Sequence, residues 1–200
     1  MPRAGLTSAS VVDAAASIAD AEGLQAVSLA RVATVLGVRP PSLYEHIAGL
    51  DDLLRRLGTR GAFELAAELG HAVEGRSGMD ALSALALAYR NYSRSHPGLY
   101  AAAQRSRELE SDLEAVAAGR AAIGVLLAVL RGYGLDGDDA VHAIRAIRAA
   151  LHGFVSLEAE AGFALELPLE ESFERLVALL DRGLRGGSPA TAARRPRRGS

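Results

Sequence analysis

Apolar residues return at every third or fourth position along most of this chain, and no stretch alternates convincingly with period two. A chain patterned in this way buries its apolar face by packing helix on helix, so an all-α fold of about nine helices is expected. Val11, Val12, Ala15, Ile18 and Ala19 mark a helix over 8–22 that Gly23 ends. Leu29, Val32, Ala33 and Leu36 mark a short second helix. Ser28 serves as its N-cap, Gly37 closes it in a left-handed conformation and Val38 covers its end. Pro40-Pro41 opens a third helix, because proline is tolerated in a first turn. Asp51-Asp52 opens a fourth, which runs towards Val73 with its carboxylates at the positive end of the helix dipole. A fifth covers 79–95 and stops before His96-Pro97-Gly98. Leu109, Leu113, Val116, Ile123, Leu127 and Leu130 make a long amphipathic helix ended by Gly132-Tyr133-Gly134. Ile144, Ile147, Leu151, Phe154 and Val155 mark a helix over 138–165, and Phe173, Leu176, Val177 and Leu180 a last one over 169–185.

Composition removes several classes of function. The chain has no cysteine, so disulfides and thiolate metal sites are excluded. Its histidines (46, 71, 96, 142, 152) show no ligand spacing, and neither a metal nor a cofactor is expected. The longest apolar run, Ala121 to Leu130, lies between Arg120 and Arg131 and is too short to span a bilayer. Met1 to Gly5 carry no signal-peptide core. The expectation is a cytoplasmic protein with no membrane partner.

All 22 basic residues are arginine. Residues 1–60 balance six of them against six acids, residues 61–184 hold eleven against eighteen, and residues 185–200 hold five against none. A protein that coats DNA without regard to sequence is far more basic than this. Any nucleic-acid reading must therefore come from local pattern.

That pattern lies between Ser28 and Ile47, where two short helices flank a tight glycine turn, as a helix-turn-helix requires. The second helix is too short to stand alone and must dock on the helices before it. At about 100° per residue, Leu43 and Ile47 share the docking side and Glu45 points away from it, flanked by Pro41 and Ser42. Tyr44 and His46 form opposite shoulders. Such a surface suits the major groove, with the shoulders against the phosphate walls.

The block Val32-Ala33…Leu36-Gly37-Val38…Pro41-Ser42-Leu43-Tyr44-Glu45-His46-Ile47 resembles the DNA-binding domain of the TetR (tetracycline repressor) family. Ala14-Ala15…Ala19-Asp20…Gly23…Ser28-Leu29 resembles that family's first helix and its connection. Leu151-His152-Gly153-Phe154 resembles the Trp-His-Gly signature of one subgroup's C-terminal domain, with Leu in place of Trp. The resemblance implies a helix-turn-helix domain over 1–50 and a helical ligand-binding and dimerisation domain over 51–185; composition makes 186–200 a disordered Arg-rich tail. It also implies a homodimer on a double-stranded operator, released by a small-molecule inducer. Carried over by position, Ser28, Ser42, Tyr44 and His46 would contact phosphates, and Arg39, Pro41, Ser42 and Glu45 would face bases. The family's lysine near the start of the fourth helix is missing from Ala48-Gly49-Leu50, where backbone N–H groups around Leu50 to Asp52 would have to substitute.

For the dimer, the apolar stripes of the last two helices offer Leu151, Phe154, Val155, Phe173, Val177 and Leu180. For the inducer, Tyr89, Tyr92 and Tyr100 cluster around the break at Pro97, with Gln104 following, and such a break can leave an apolar cavity with a few polar tips. His152, beside Gly153, reads first as a structural histidine where helices approach closely and second as a ligand contact. The competing readings are a helical-bundle enzyme and a DNA-binding protein without ligand control. The first would need a nucleophile–base pair, metal ligands or a cofactor loop, and none is found in the sequence.

Overall fold

The computed structural model describes residues 5–105 and 113–186. The expected Arg-rich tail beyond Gly186, and Leu109 in the expected long helix, lie outside the described residues. Among those residues there are eight α-helices, two 3-10 turns and no strand. The helices are α1 (Ser8–Glu22), α2 (Leu29–Leu36), α3 (Leu50–Val73), α4 (Gly78–Ser95), α5 (Pro97–Arg105), α6 (Leu113–Arg131), α7 (Gly137–Ala159) and α8 (Leu169–Arg185). None is long and apolar enough to cross a membrane.

The chain divides into two units, one comprising residues up to 71 with 88–122, the other 72–87 with those from 123 onward. The core of the first unit is built from Val11, Ala15, Ile18 and Ala19 of α1, Val32 and Ala33 of α2, and Leu43 and Ile47. Leu53 and Leu57 of α3 and Leu99 and Ala102 of α5 complete it. This core therefore reaches well past residue 50. Its helix ends are closed locally. Thr7 Oγ1 accepts from Ser10 N–H while Ser10 Oγ donates to the Thr7 carbonyl and accepts from Thr7 N–H, so α1 opens on a capping box. Ser28 Oγ accepts from Arg31 N–H at the start of α2. Gly37 ends α2 with φ 67°, in the left-handed region where only glycine sits without cost.

The second unit packs Leu82 and Leu85 of α4 with Leu126, Val129 and Leu130 of α6. Ile147, Leu151, Phe154 and Val155 of α7 and Phe173, Val177 and Leu184 of α8 supply the rest of its core. The Phe154 ring lies 4.9 Å from Phe163 and 5.0 Å from Phe173. Tyr133 donates to Asp181 Oδ1 at 2.7 Å, and Arg185 Nε donates to Oδ2 at 2.8 Å. Burial and this carboxylate together push the Tyr133 hydroxyl's pKa upward.

Three expectations change. Pro40–Glu45 forms a 3-10 turn rather than an α-helix, because two successive prolines supply no N–H and Ser42 N–H turns back three residues to the Arg39 carbonyl. The break at Pro97 is present, with α4 ending at Ser95, and Pro97 also starts α5, since its missing N–H is harmless in a first turn. The helix expected over 138–165 stops at Ala159, where Ala161 takes φ 51° and Gly162 N–H bonds back to the Leu157 carbonyl. Gly153 has open space where a Cβ would stand, so it is not a point of close helix approach. The close approaches in the first unit are at Gly61 and Gly98 instead.

Candidate nucleic-acid interface

The segment between α2 and α3 is held from beneath. Leu43 is fully buried and Ile47 nearly so, each packed in the core that α1 and α2 provide. Burying two such side chains contributes about 3–6 kcal/mol, enough to seat a turn that could not stand alone. The far end of the segment is tied by Ser8, whose hydroxyl donates to the His46 carbonyl at 2.9 Å. The outward side is left open. Arg39, Pro41, Ser42, Tyr44 and Glu45 are exposed and His46 is half-buried. Tyr44 keeps 60% of its surface in solvent, which leaves its ring and hydroxyl accessible from outside the chain. Ser28 is half-buried, and its oxygen already accepts from Arg31 N–H, which leaves its hydroxyl proton free to donate.

Most cations near this surface are engaged. Arg31 pairs with Glu22 at 2.6 Å and holds that carboxyl below its usual range. Arg55 and Arg56 pair with Asp52 at 2.6 and 2.9 Å, and Arg60 pairs with Asp13 and Glu64. Among the described residues up to 60, Arg39 is the one arginine without an ion pair. Asp52 also accepts from Ala48 N–H at 3.0 Å. Partial burial would raise its pKa, but Arg56, Ala48 N–H and Arg55 outweigh that and hold it at about 2. A carboxylate therefore occupies the helix start where backbone N–H groups were expected to stand in for the missing lysine.

Tyr89, Tyr92, Tyr100 and Gln104 fall in the first unit, and the three tyrosines are buried. The Tyr89 and Tyr100 hydroxyls lie 2.9 Å apart with their rings nearly perpendicular. Tyr92 is turned elsewhere, its hydroxyl 3.2 Å from both the Gly61 carbonyl and Glu64 Oε2. Burial first and the Glu64 carboxylate second raise its pKa. Gln104 is half-buried one turn beyond Tyr100, and His152 is half-buried on α7 in the other unit. Of the proposed dimer residues, Leu151, Phe154, Val155, Phe173 and Val177 lie inside the protomer's own core. Leu180 is half-buried beside a groove of about 280 Å³ between α7 and α8, lined also by Leu135, His142, Ala143 and Leu179.

Residues 82–180 match the model described as tetracyclin repressor-like, C-terminal domain. Over 193 residues the chain is 36% identical to an uncharacterized HTH-type transcriptional regulator of Mycobacterium tuberculosis, covering 94% of this chain and 88% of that protein. It is 39% identical over 171 residues to the uncharacterized HTH-type transcriptional regulator YobS of Bacillus subtilis, covering 86% and 88% of the two chains. The chain belongs to the TetR family. This TetR-family protein is a DNA-binding transcriptional regulator and not an enzyme. Its fold is that of a tetR-family regulatory protein from Rhodococcus RHA1, with a TM-score of 0.67 at 18% identity over 88% of this chain and 96% of that one. TetR regulators bind DNA operators and are generally dimeric.

Sequence reasoning missed Asp20 and His96. Asp20 Oδ1 accepts from Gly98 N–H at 2.9 Å and Leu99 N–H at 3.0 Å, and Oδ2 lies 2.9 Å from His96 Nδ1. One signal was present. An acid in the last turn of α1 opposes that helix's own dipole, so it needs a partner elsewhere.

Proposed function

We propose that this TetR-family protein is a cytoplasmic repressor that binds an inverted-repeat operator as a homodimer. Ser28, Ser42, Tyr44 and His46 grip phosphates, while Arg39, Pro41, Ser42 and Glu45 face base edges. The observation that carries this reading is the split of one short segment into a buried pair, Leu43 and Ile47, and an exposed set beside Arg39, the one arginine among the described residues up to 60 without an ion pair. Arg39 has donors suited to guanine, and Glu45 is an acceptor suited to cytosine N4. Selection of duplexes from a random pool, followed by gel shift, tests the reading. The expected product is a two-fold site whose half-sites follow the helical repeat. Uniform retention of all sequences would overturn it.

Release of the operator by a small molecule completes the proposal. The buried Tyr89–Tyr100 hydroxyl pair and Thr59, whose Oγ1 is buried without a hydrogen-bond partner, place polar tips among apolar groups. A neutral or weakly acidic, largely apolar inducer fits them. Compounds found by thermal shift should then weaken operator binding, and Tyr100→Ala should blunt both effects. Tight binding with unchanged operator affinity would remove ligand control and leave the alternative of a regulator without it.

A further inference from the structure

The first turn of α5 is seated on two other helices with no slack between them. Pro97 brings no N–H, and the next two donors, Gly98 and Leu99, converge on one oxygen of Asp20, a residue 78 and 79 positions earlier on α1. The other oxygen takes His96 Nδ1. Asp20 is thus badly placed on its own helix and well placed on α5, whose positive end it caps. Beside this cap Gly98 rests on the backbone of Ala19, and any Cβ there would overlap it. On the other side Gly61 of α3 rests on the Leu99 carbonyl, again with no room for a Cβ. The Tyr92 hydroxyl closes the joint by bonding the Gly61 carbonyl. α1 in turn carries Ser8, which ties the His46 carbonyl at the end of the DNA-facing segment.

We propose that Asp20 is a positioning residue for DNA recognition: by capping α5 it fixes α1, and through Ser8 the Pro40–Glu45 turn, in the geometry that fits the groove. Backbone-on-backbone contacts at Gly98 and Gly61 transmit displacement because no side chain between them can yield. A shift of α5 must break the Asp20 cap or carry α1 and α3 with it. The inference rests on the operator-binding reading above.

The test uses the full chain and an operator selected with the wild type. Asp20→Ala should weaken binding by about tenfold or more, the size of a lost charged cap. Asp20→Asn keeps an acceptor for Gly98 and Leu99 N–H and should recover most of that loss. Hydrogen exchange without DNA should quicken in Asp20→Ala over residues 39–47 as well as 97–105. Leu82→Val, a core change on α4 in the other unit and away from α7 and α8, serves as a destabilised control that should keep wild-type affinity. Should Asp20→Ala fail to fold, His96→Ala removes one arm of the same joint at a half-exposed site and should weaken binding by about threefold. Wild-type operator affinity in folded Asp20→Ala, or in His96→Ala where the first does not fold, overturns the proposal. So does faster exchange confined to 97–105. If the wild type selects no operator, the operator reading fails instead, and the two failures are told apart.

Discussion

Exposed side chains on the proposed recognition turn, Pro40–Glu45, divide by chemistry. Tyr44 offers one hydroxyl and a flat ring, which can hold a phosphate but carry no base code. Tyr44→Ala should therefore weaken binding to every sequence, whereas Glu45→Ala should change the preferred base at one position by about 1–3 kcal/mol. Parallel gel shifts on the selected operator and its single-base variants check both. Among the described residues up to 60, Arg39 is the arginine without an ion pair, while Arg31, Arg55, Arg56 and Arg60 are held by carboxylates. Arg39→Ala should relax the preferred base at one position of each half-site by about 1–3 kcal/mol while leaving the salt dependence of operator affinity nearly unchanged. A salt slope flattened by about 0.9 per half-site in Arg39→Ala would instead place this arginine on a phosphate.

At the level of the element, the Pro40–Glu45 turn and the start of α3 are stabilised by different means. The turn depends on burial: Leu43→Ala should cost about 2–5 kcal/mol and be visible as an earlier thermal transition. The start of α3 depends on charge. Asp52 titrates at about 2 when folded, against 3.8 as its ordinary value, so its folded pKa is depressed. Its stabilisation is present above about pH 4 and is lost as pH falls through about 2, amounting to about 1–2 kcal/mol. Asp52→Asn should be less stable than wild type at neutral pH and lose less between about pH 4 and pH 2. Denaturant melts across that range check the sign.

For the whole molecule, the assembly expectation moves outward on the same two helices. Leu151 and Val177 are core residues of the second unit, so Leu151→Arg would bury an unpaired charge and unfold the unit rather than split a dimer. Leu179 is 58% exposed and lines the groove between α7 and α8. Leu179→Arg should leave the protomer folded while shifting sedimentation from dimer towards monomer, and operator binding should fall with it. Persistence of a wild-type dimer in this variant would place the two-fold contact elsewhere.

Most caps and the buried pair between α2 and α3 are decided within a few residues and were legible in the sequence, whereas the 3-10 form of Pro40–Glu45 and the end of α7 at Ala159 are also local and were not. Ser28 as the cap of α2, Gly37 as its left-handed end, Leu43 and Ile47 as the buried pair and Glu45 as the outward residue all follow from caps and periodicity. So did the family, whose local motif is dense in this stretch. Tertiary structure decided the rest, because the partners are far apart in the chain. The cap of α5 comes from a residue 78 positions away, so nothing near Pro97 in the sequence announced it. Arg60 is engaged by Asp13 across 47 positions, so the number of arginines left for DNA was invisible to composition. Periodicity showed that α7 and α8 carry apolar stripes, but only the folded chain showed what covers them. A hydrophobic face has the same pattern whether its own protomer or a second copy buries it.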